Sequence, residues 1–330
     1  MANNKIKVGV TRKLPNATHE RMLALFDVQM NPNDQALGRN QLLALAASCD
    51  VLCPTVTDDI DAEIFRAGKN NLKLVANFGA GTDHIDLKAA NAAGIPVTNT
   101  PDVLTDDTAD LTFALLLAVP RRIVEGAQLL RSGGYEAGWS PTWMMGRSLG
   151  NKKLGIVGMG RIGQAVAARA RAFGLEVHYH NRKPVSPAIE ESLHALYWSD
   201  LDEMLGEMDF VSLNCPLTKD TIHLMDRTRL GKLAGHAILI NTARGKLIDE
   251  AALADALQAG QLAGAGLDVF EFEPKVEPRL LELPNVVALP HMGSSTLEAR
   301  TAMGERMIIN IKAFEDGHKP PDRVIRGLTT

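Results

Sequence analysis

The sequence predicts an α/β protein built from two doubly wound parallel sheets, and three observations carry that prediction. Strand-like and helix-like segments alternate between residues 6 and 101 and again from Lys153 onward, as they do when helices cover a parallel sheet. A glycine triplet with the spacing G-x-G-x-x-G (Gly158, Gly160, Gly163) stands mid-chain between a buried strand and a helix. The last helical stretch, Ser294 to Phe314, has no strand after it that would continue the second series. It is therefore expected to pack back on the first domain and make that domain discontinuous.

In the first series, strands are expected at Ile6–Val10, Asp27–Met30, Asp50–Cys53, where Pro54 stops the run, Leu72–Ala76 and Ile95–Pro101. Helical periodicity falls at Thr18–Phe26, Asn40–Ala47, Ile60–Ala67 and Leu87–Ala93. The helical period then dominates from Thr105 to Arg131, broken or kinked at Pro120, whose ring cannot continue a helix. This stretch suits a connection between two domains. The second series predicts six strands: Leu154–Val157, Glu176–His180, Phe210–Leu213, Ala237–Asn241, Gly264–Val269 and Val286–Leu289. Six strands suit a full dinucleotide-binding sheet.

A chain of 330 residues has room for two ordinary cores, and 45% hydrophobic with 22% charged residues is the balance of a soluble globular protein. A net charge of −4 gives no sign of nucleic acid or an anionic membrane as partner. The start carries no apolar signal core, and the most apolar run, Leu111–Val119, is too short to span a bilayer. Cys49, Cys53 and Cys215 have no metal-ligand partners in sequence and read as buried thiols in a reducing compartment. A cytoplasmic protein without a metal site is expected.

Leu154-Gly-Ile-Val-Gly-Met-Gly-Arg-Ile-Gly163 is the most telling stretch. Gly158 allows a tight turn, Gly160 lets the backbone approach a pyrophosphate, and Gly163 lets helix and strand pack closely. The free N–H groups of the helix start would face the phosphates. An enzyme using such a cofactor on a hydroxy or keto acid needs a cation for the acid group, a proton donor at the reacting oxygen, and a group to set that donor's pKa. Arg244 closes a buried strand in Asn241-Thr-Ala-Arg-Gly245, and its planar fork suits a carboxylate or carbonyl oxygen. Taken alone, it equally suits a surface salt bridge. Another strand ends with Asp268, Glu271 and Glu273, and acidic residues in loops are usually solvated. His291 follows a third strand, behind Pro290, either as an ordinary residue at a helix start or as a proton shuttle.

Together these segments resemble the D-isomer-specific 2-hydroxyacid dehydrogenase family over nearly the whole chain. The resemblance includes Asn77-Phe-Gly-Ala-Gly-Thr-Asp-His-Ile-Asp86, Asn99-Thr-Pro101, Leu267-Asp-Val-Phe270 with Glu273-Pro274, and Pro290-His-Met-Gly293. Their joint order is specific, and Glu273 and His291 lie eighteen residues apart, as the family's acid and histidine do. The resemblance implies a central Rossmann cofactor domain, 102–294, and a discontinuous flavodoxin-like substrate domain, 1–101 plus 295–330. It implies that Arg244 binds the substrate carboxylate and polarises the keto oxygen, that His291 exchanges a proton with that oxygen, and that Glu273 holds and tunes His291. Gly79, Ala80 and Gly81 would offer backbone N–H groups to the carboxylate; taken alone, they would make a tight strand–helix turn. Cofactor contacts are implied for Thr108, Gly158, Met159, Gly160, Arg161, Ile162, Gly163, Asn181, Arg182, Lys183, Cys215, Pro216, Thr242, Ala243, Asp268, Gly293 and Ser294, with Asp268 on the nicotinamide side.

Within the family the chain is most similar to glyoxylate/hydroxypyruvate reductases, in Val103–Thr112 and in the stretch Gly138–Gly146 with Trp139 and Trp143. The resemblance implies a homodimer in which a tryptophan approaches a neighbouring site; packing within the chain is the other reading of both tryptophans. NAD enzymes commonly place an acid about twenty residues beyond the fingerprint, but here the position holds Asn181, followed by Arg182 and Lys183. That trio would accept a 2′-phosphate, so NADP(H) is expected to be preferred, with NAD(H) possible if the two cations are merely solvated. The expected reaction is NAD(P)H-dependent reduction of glyoxylate or hydroxypyruvate to the D-2-hydroxy acid. The alternatives are a dehydrogenase for a larger substrate and a nucleotide-sensing binding protein like the corepressors of the superfamily.

Overall fold

The structure, a computed structural model, describes residues 5–136 and 138–324. Residues 1–4, 137 and 325–330, which include both ends of the expected substrate domain, lie outside the described residues. The chain divides into two compact units. One runs to Leu104 and resumes at Ser294; the other is Thr105–Gly293. The sequence reading set these divisions at 101/102 and 294/295.

Along the first unit the elements are β1 (Lys7–Val10), α1 (Asn16–Leu25), β2 (Asp27–Gln29), α2 (Arg39–Ser48), β3 (Val51–Cys53), α3 (Ala62–Ala67), β4 (Leu74–Ala76), α4 (Leu87–Ala92) and β5 (Val97–Thr98). The strands pair in parallel in the order β2-β1-β3-β4-β5. The apolar triplets of β3 and β4 are fully buried, as central strands covered on both faces must be. Asp61 and Asp86 fix the starts of α3 and α4, each accepting two backbone N–H groups of the first turn.

The second unit begins with α5 (Thr105–Ala118) and α6 (Ile123–Arg131). The helical stretch divides at Pro120 as expected, and Arg122 takes a left-handed φ of 53° there. Then come β6 (Lys153–Val157), α7 (Arg161–Ala172), β7 (Glu176–His180), α8 (Pro187–Leu193), β8 (Ala195–Trp198), α9 (Leu201–Glu207), β9 (Phe210–Leu213), α10 (Arg227–Leu230) and β10 (Ile238–Asn241). A short 3₁₀ turn, Gly245–Leu247, leads to α11 (Glu250–Gln258), β11 (Gly264–Leu267), α12 (Pro278–Glu282) and β12 (Val286–Ala288). The seven strands are parallel, in the order β12-β11-β10-β9-β6-β7-β8. All six expected strands are present, and β8 is an addition. It lies at the sheet edge with only Ala195 buried, so it lacks the apolar run that marked the others.

The final helix, α13 (Leu297–Glu315), belongs to the first unit. Its Met303, Met307, Ile308 and Ile311 pack with Val8, Val51 and Leu74 in one core. Among the described residues no helix is long and apolar enough to cross a membrane.

Candidate active site

In the second unit the strand order reverses at β6, which pairs with β7 on one side and β9 on the other. In open α/β sheets a ligand crevice forms at the carboxyl ends of strands at such a switch point. The glycine triplet begins there. Gly158 has φ 104°, and a β-carbon on it would stand 2.5 Å from the Cys215 backbone N and 2.7 Å from the Asn214 carbonyl carbon. A β-carbon on Gly163 would collide with the Gly158 carbonyl. Gly160, the N-cap of α7, has nothing within 4 Å of that position. The turn thus closes tightly on its protein side and stays open where a phosphate would approach. Beside it the Asn214 side-chain amide nitrogen, Nδ2, is buried without a hydrogen-bond partner. Backbone donors at a helix start, an open face and an orphaned amide fit a dinucleotide pyrophosphate.

The other expected cofactor residues fall into distinct environments. The Met159 side chain is buried in the core, and its backbone N–H donates to Asn181 Oδ1 at 2.8 Å. Ile162 packs partly against the same core, while Arg161 is exposed at the helix start. Arg182 and Lys183 are exposed and make no ion pair among the described residues. Cys215 is half-buried and Pro216 exposed, just past the end of β9. Burial pushes the Cys215 thiol up to about 11. Thr242 is buried, with its hydroxyl 2.8 Å from that of Thr112, and Ala243 is half-buried beside Arg244. Thr108 is buried and donates to the Gly293 carbonyl at 3.3 Å. Ser294 clusters with the first unit, where its carbonyl accepts Arg300 Nε at 3.1 Å.

Arg244, Glu273 and His291 come from three neighbouring strand ends, those of β10, β11 and β12. The Asn241 amide shapes the first loop: Oδ1 accepts the Ala243 N–H at 3.0 Å and Nδ2 donates to the Arg244 carbonyl at 2.8 Å. Arg244 itself donates through Nη1 to the Ala243 carbonyl at 2.7 Å. Gly245 follows because a β-carbon there would overlap the peptide between Phe270 and Glu271. The Arg244 loop is therefore seated directly on the Glu273 loop.

His291 Nδ1 lies 2.8 Å from Glu273 Oε2, and the other carboxylate oxygen accepts the Phe270 N–H at 2.9 Å. Burial alone would raise the Glu273 carboxyl. The His291 hydrogen bond and charge, the Phe270 N–H and the Arg244 charge outweigh it and hold the group below the usual carboxylate range. Both side chains stay about a third exposed, His291 at 32% and Glu273 at 34%, so the imidazole can reach a substrate.

Asp268 does more than the sequence suggested. Almost fully buried, it accepts the N–H groups of Met292 at 2.7 Å and Gly293 at 2.8 Å through its carboxylate. Its carbonyl accepts the His291 N–H at 2.8 Å. These bonds hold His291 at φ 53°, a conformation that few residues other than glycine adopt. Burial drives the Asp268 carboxyl up despite the two N–H groups and the His291 charge. Sequence reasoning gave no role of their own to Asn241, Asn214 or Gly245, which shape the loops around the site.

In the first unit, Gly79, Ala80 and Gly81 follow β4. Asn77 Nδ2 donates to the Gly79 and Gly81 carbonyls at 3.0 and 2.9 Å, and Asn99 Nδ2 to that of Ala80 at 2.7 Å. With their carbonyls turned into the protein, none of the three N–H groups donates a hydrogen bond among the described residues. The loop can receive an anion.

The family model described as "D-isomer specific 2-hydroxyacid dehydrogenase, NAD binding domain" matches residues 113–293. The chain belongs to the D-isomer specific 2-hydroxyacid dehydrogenases. Within that family it is 45% identical to a glyoxylate reductase of Thermococcus litoralis, over 99% of this chain and 98% of the relative. A solved glyoxylate reductase from Paecilomyes thermophila aligns with a TM-score of 0.86 at 33% identity, covering 97% of this chain and 98% of that one. An NADPH-dependent glyoxylate/hydroxypyruvate reductase from Sinorhizobium meliloti, solved with NADP and malonate, aligns at 0.85 and 33% identity, covering 97% of each chain.

Proposed function

We propose that this dehydrogenase reduces a small 2-keto acid, glyoxylate or hydroxypyruvate, to the D-2-hydroxy acid. The observation that carries this reading is the His291–Glu273 pair, set on a strand end beside the loop of Arg244. The glyoxylate reductase relatives support the substrate. The Arg244 guanidinium binds the carboxylate and polarises the keto oxygen. Because Glu273 accepts at Nδ1, that nitrogen carries a hydrogen and Nε2 is left to give its proton to the developing alkoxide. The Glu273 carboxylate keeps the ring aimed during the transfer. In oxidation the neutral ring takes the proton back. The 158–163 turn with Asn214, Thr242 and Asp268 would hold a reduced nicotinamide dinucleotide, which would supply the hydride.

NADPH is assigned as the preferred cofactor. Asn181 spends Oδ1 on the glycine turn, which leaves its amide nitrogen as a donor, and the exposed Arg182 and Lys183 favour a 2′-phosphate. Steady-state kinetics with glyoxylate and hydroxypyruvate against both cofactors test these assignments. A higher kcat/KM with NADPH is expected. Equal or better efficiency with NADH removes the cofactor preference, and no turnover of either acid removes the reaction.

The same reading gives a homodimer in the cytoplasm. None of α6 is buried; Leu130 is 63% exposed, and Trp139 on the following stretch is 77% exposed. Apolar groups so placed suit a second copy of the chain. Sedimentation at micromolar concentration is expected to give twice the chain mass, and a monomer there contradicts the assignment. The three thiols are free, and burial pushes Cys49 up to about 12; both facts suit a reducing compartment.

A further inference from the structure

Glu250 is the first residue of α11, and only 6% of it is exposed. It makes no ion pair among the described residues. Burial, with the Glu271 and Glu277 charges, lifts its carboxyl above the usual range, and two backbone N–H groups offset only part of that rise. A buried carboxylate without a cation is costly unless its hydrogen bonds do something in return.

Those two hydrogen bonds are informative. One oxygen accepts the N–H of Glu271 and the other accepts the N–H of Glu277, the latter at 3.3 Å. The donors lie on either side of Glu273, so one carboxylate brackets the turn that holds His291. Two more contacts join the same segments. Gly245 is packed on the Phe270–Glu271 peptide. His223 donates its N–H to the Lys246 carbonyl at 2.8 Å, while its Nε2 meets Glu271 Oε1 at 2.7 Å. Segment 244–250 and turn 270–277 are thereby tied together at three points, all within the second unit.

We infer that Glu250 is a positioning residue for the proton relay: its carboxylate clamps turn 271–277 to the segment that bears Arg244, so that Glu273 meets His291 in a single geometry. The inference rests on the reading of His291 as the proton donor. Asp268 and Arg244 are the other charged groups that act on the pair.

The test is Glu250→Gln, which keeps one acceptor but turns an amide NH₂ toward a backbone N–H. With Glu273 loosened, its carboxyl loses the contacts that hold it low and rises, so the acid limb of keto-acid reduction moves to higher pH. The expected result is a fall in kcat of about tenfold or more, that limb shift, faster amide hydrogen exchange at Glu271 and Glu277, and unchanged nicotinamide affinity by fluorescence titration. Glu250→Asp keeps both acceptor oxygens on a shorter stem; it is expected to show the same shifts in smaller measure, and it serves if the glutamine variant does not fold. An unmoved limb with normal exchange at both amides overturns the inference, even if the variant melts earlier. If His291→Ala leaves turnover intact, the proton-donor reading fails instead, and the exchange data alone decide whether the clamp exists.

Discussion

At the scale of single residues, the account turns on which nitrogen of His291 is free. Glu273 occupies Nδ1, so the ring has one direction in which to pass a proton, and a carboxylate held low by its neighbours stays charged to support it. Removing the ring while leaving the loop intact should lower turnover by about 10²–10⁴-fold, as loss of a general acid does. Because the glycine turn is untouched in His291→Ala, cofactor affinity by fluorescence titration should remain. Near-normal turnover would show that the proton comes from elsewhere. Arg244, Glu273 and His291 were singled out by their order and spacing, and the structure sets them at neighbouring strand ends with Glu273 against His291. The Asp268 carboxylate was legible only as a group near the cofactor, because its bonds to Met292 and Gly293 span twenty-four and twenty-five residues.

At the scale of elements, the site is a set of strand-end loops that lean on one another. Gly245 is the clearest case, since its α-carbon lies against the Phe270–Glu271 peptide with no room for a methyl group. Gly245→Ala must displace that backbone, at a cost of about 1–3 kcal/mol for overpacking. It should lower the melting temperature and, by moving the Arg244 loop away from the Glu273 loop, should lower kcat more than it alters cofactor binding. A variant with normal melting and normal kcat would contradict the seating of one loop on the other. Glycine after the arginine was visible in the sequence, but its reason was not, because that reason lies on a different strand end. The same limit explains β8. Ala195-Leu-Tyr-Trp198 is short, mostly uncovered and at the sheet edge, so it lacks the buried apolar run that announced β6, β9 and β10.

At the scale of the whole molecule, two α/β units each carry a parallel sheet; strand alternation foretold both sheets, whereas the reversal of order at β6 emerges only from the pairing of strands in the structure. Hydrophobic alternation and turn residues are local signals, so they survive in a single sequence. The clamp of Glu250 and the orphaned amide of Asn214 depend on tertiary contacts and do not. The central claim is that this dehydrogenase turns over a small 2-keto acid. It is tested most directly by the initial rate of NADPH oxidation by the purified protein as glyoxylate is raised. The account predicts a saturable rate with one nicotinamide oxidised for each glycolate formed. No oxidation with glyoxylate or hydroxypyruvate, in a protein that still binds NADPH, would contradict it.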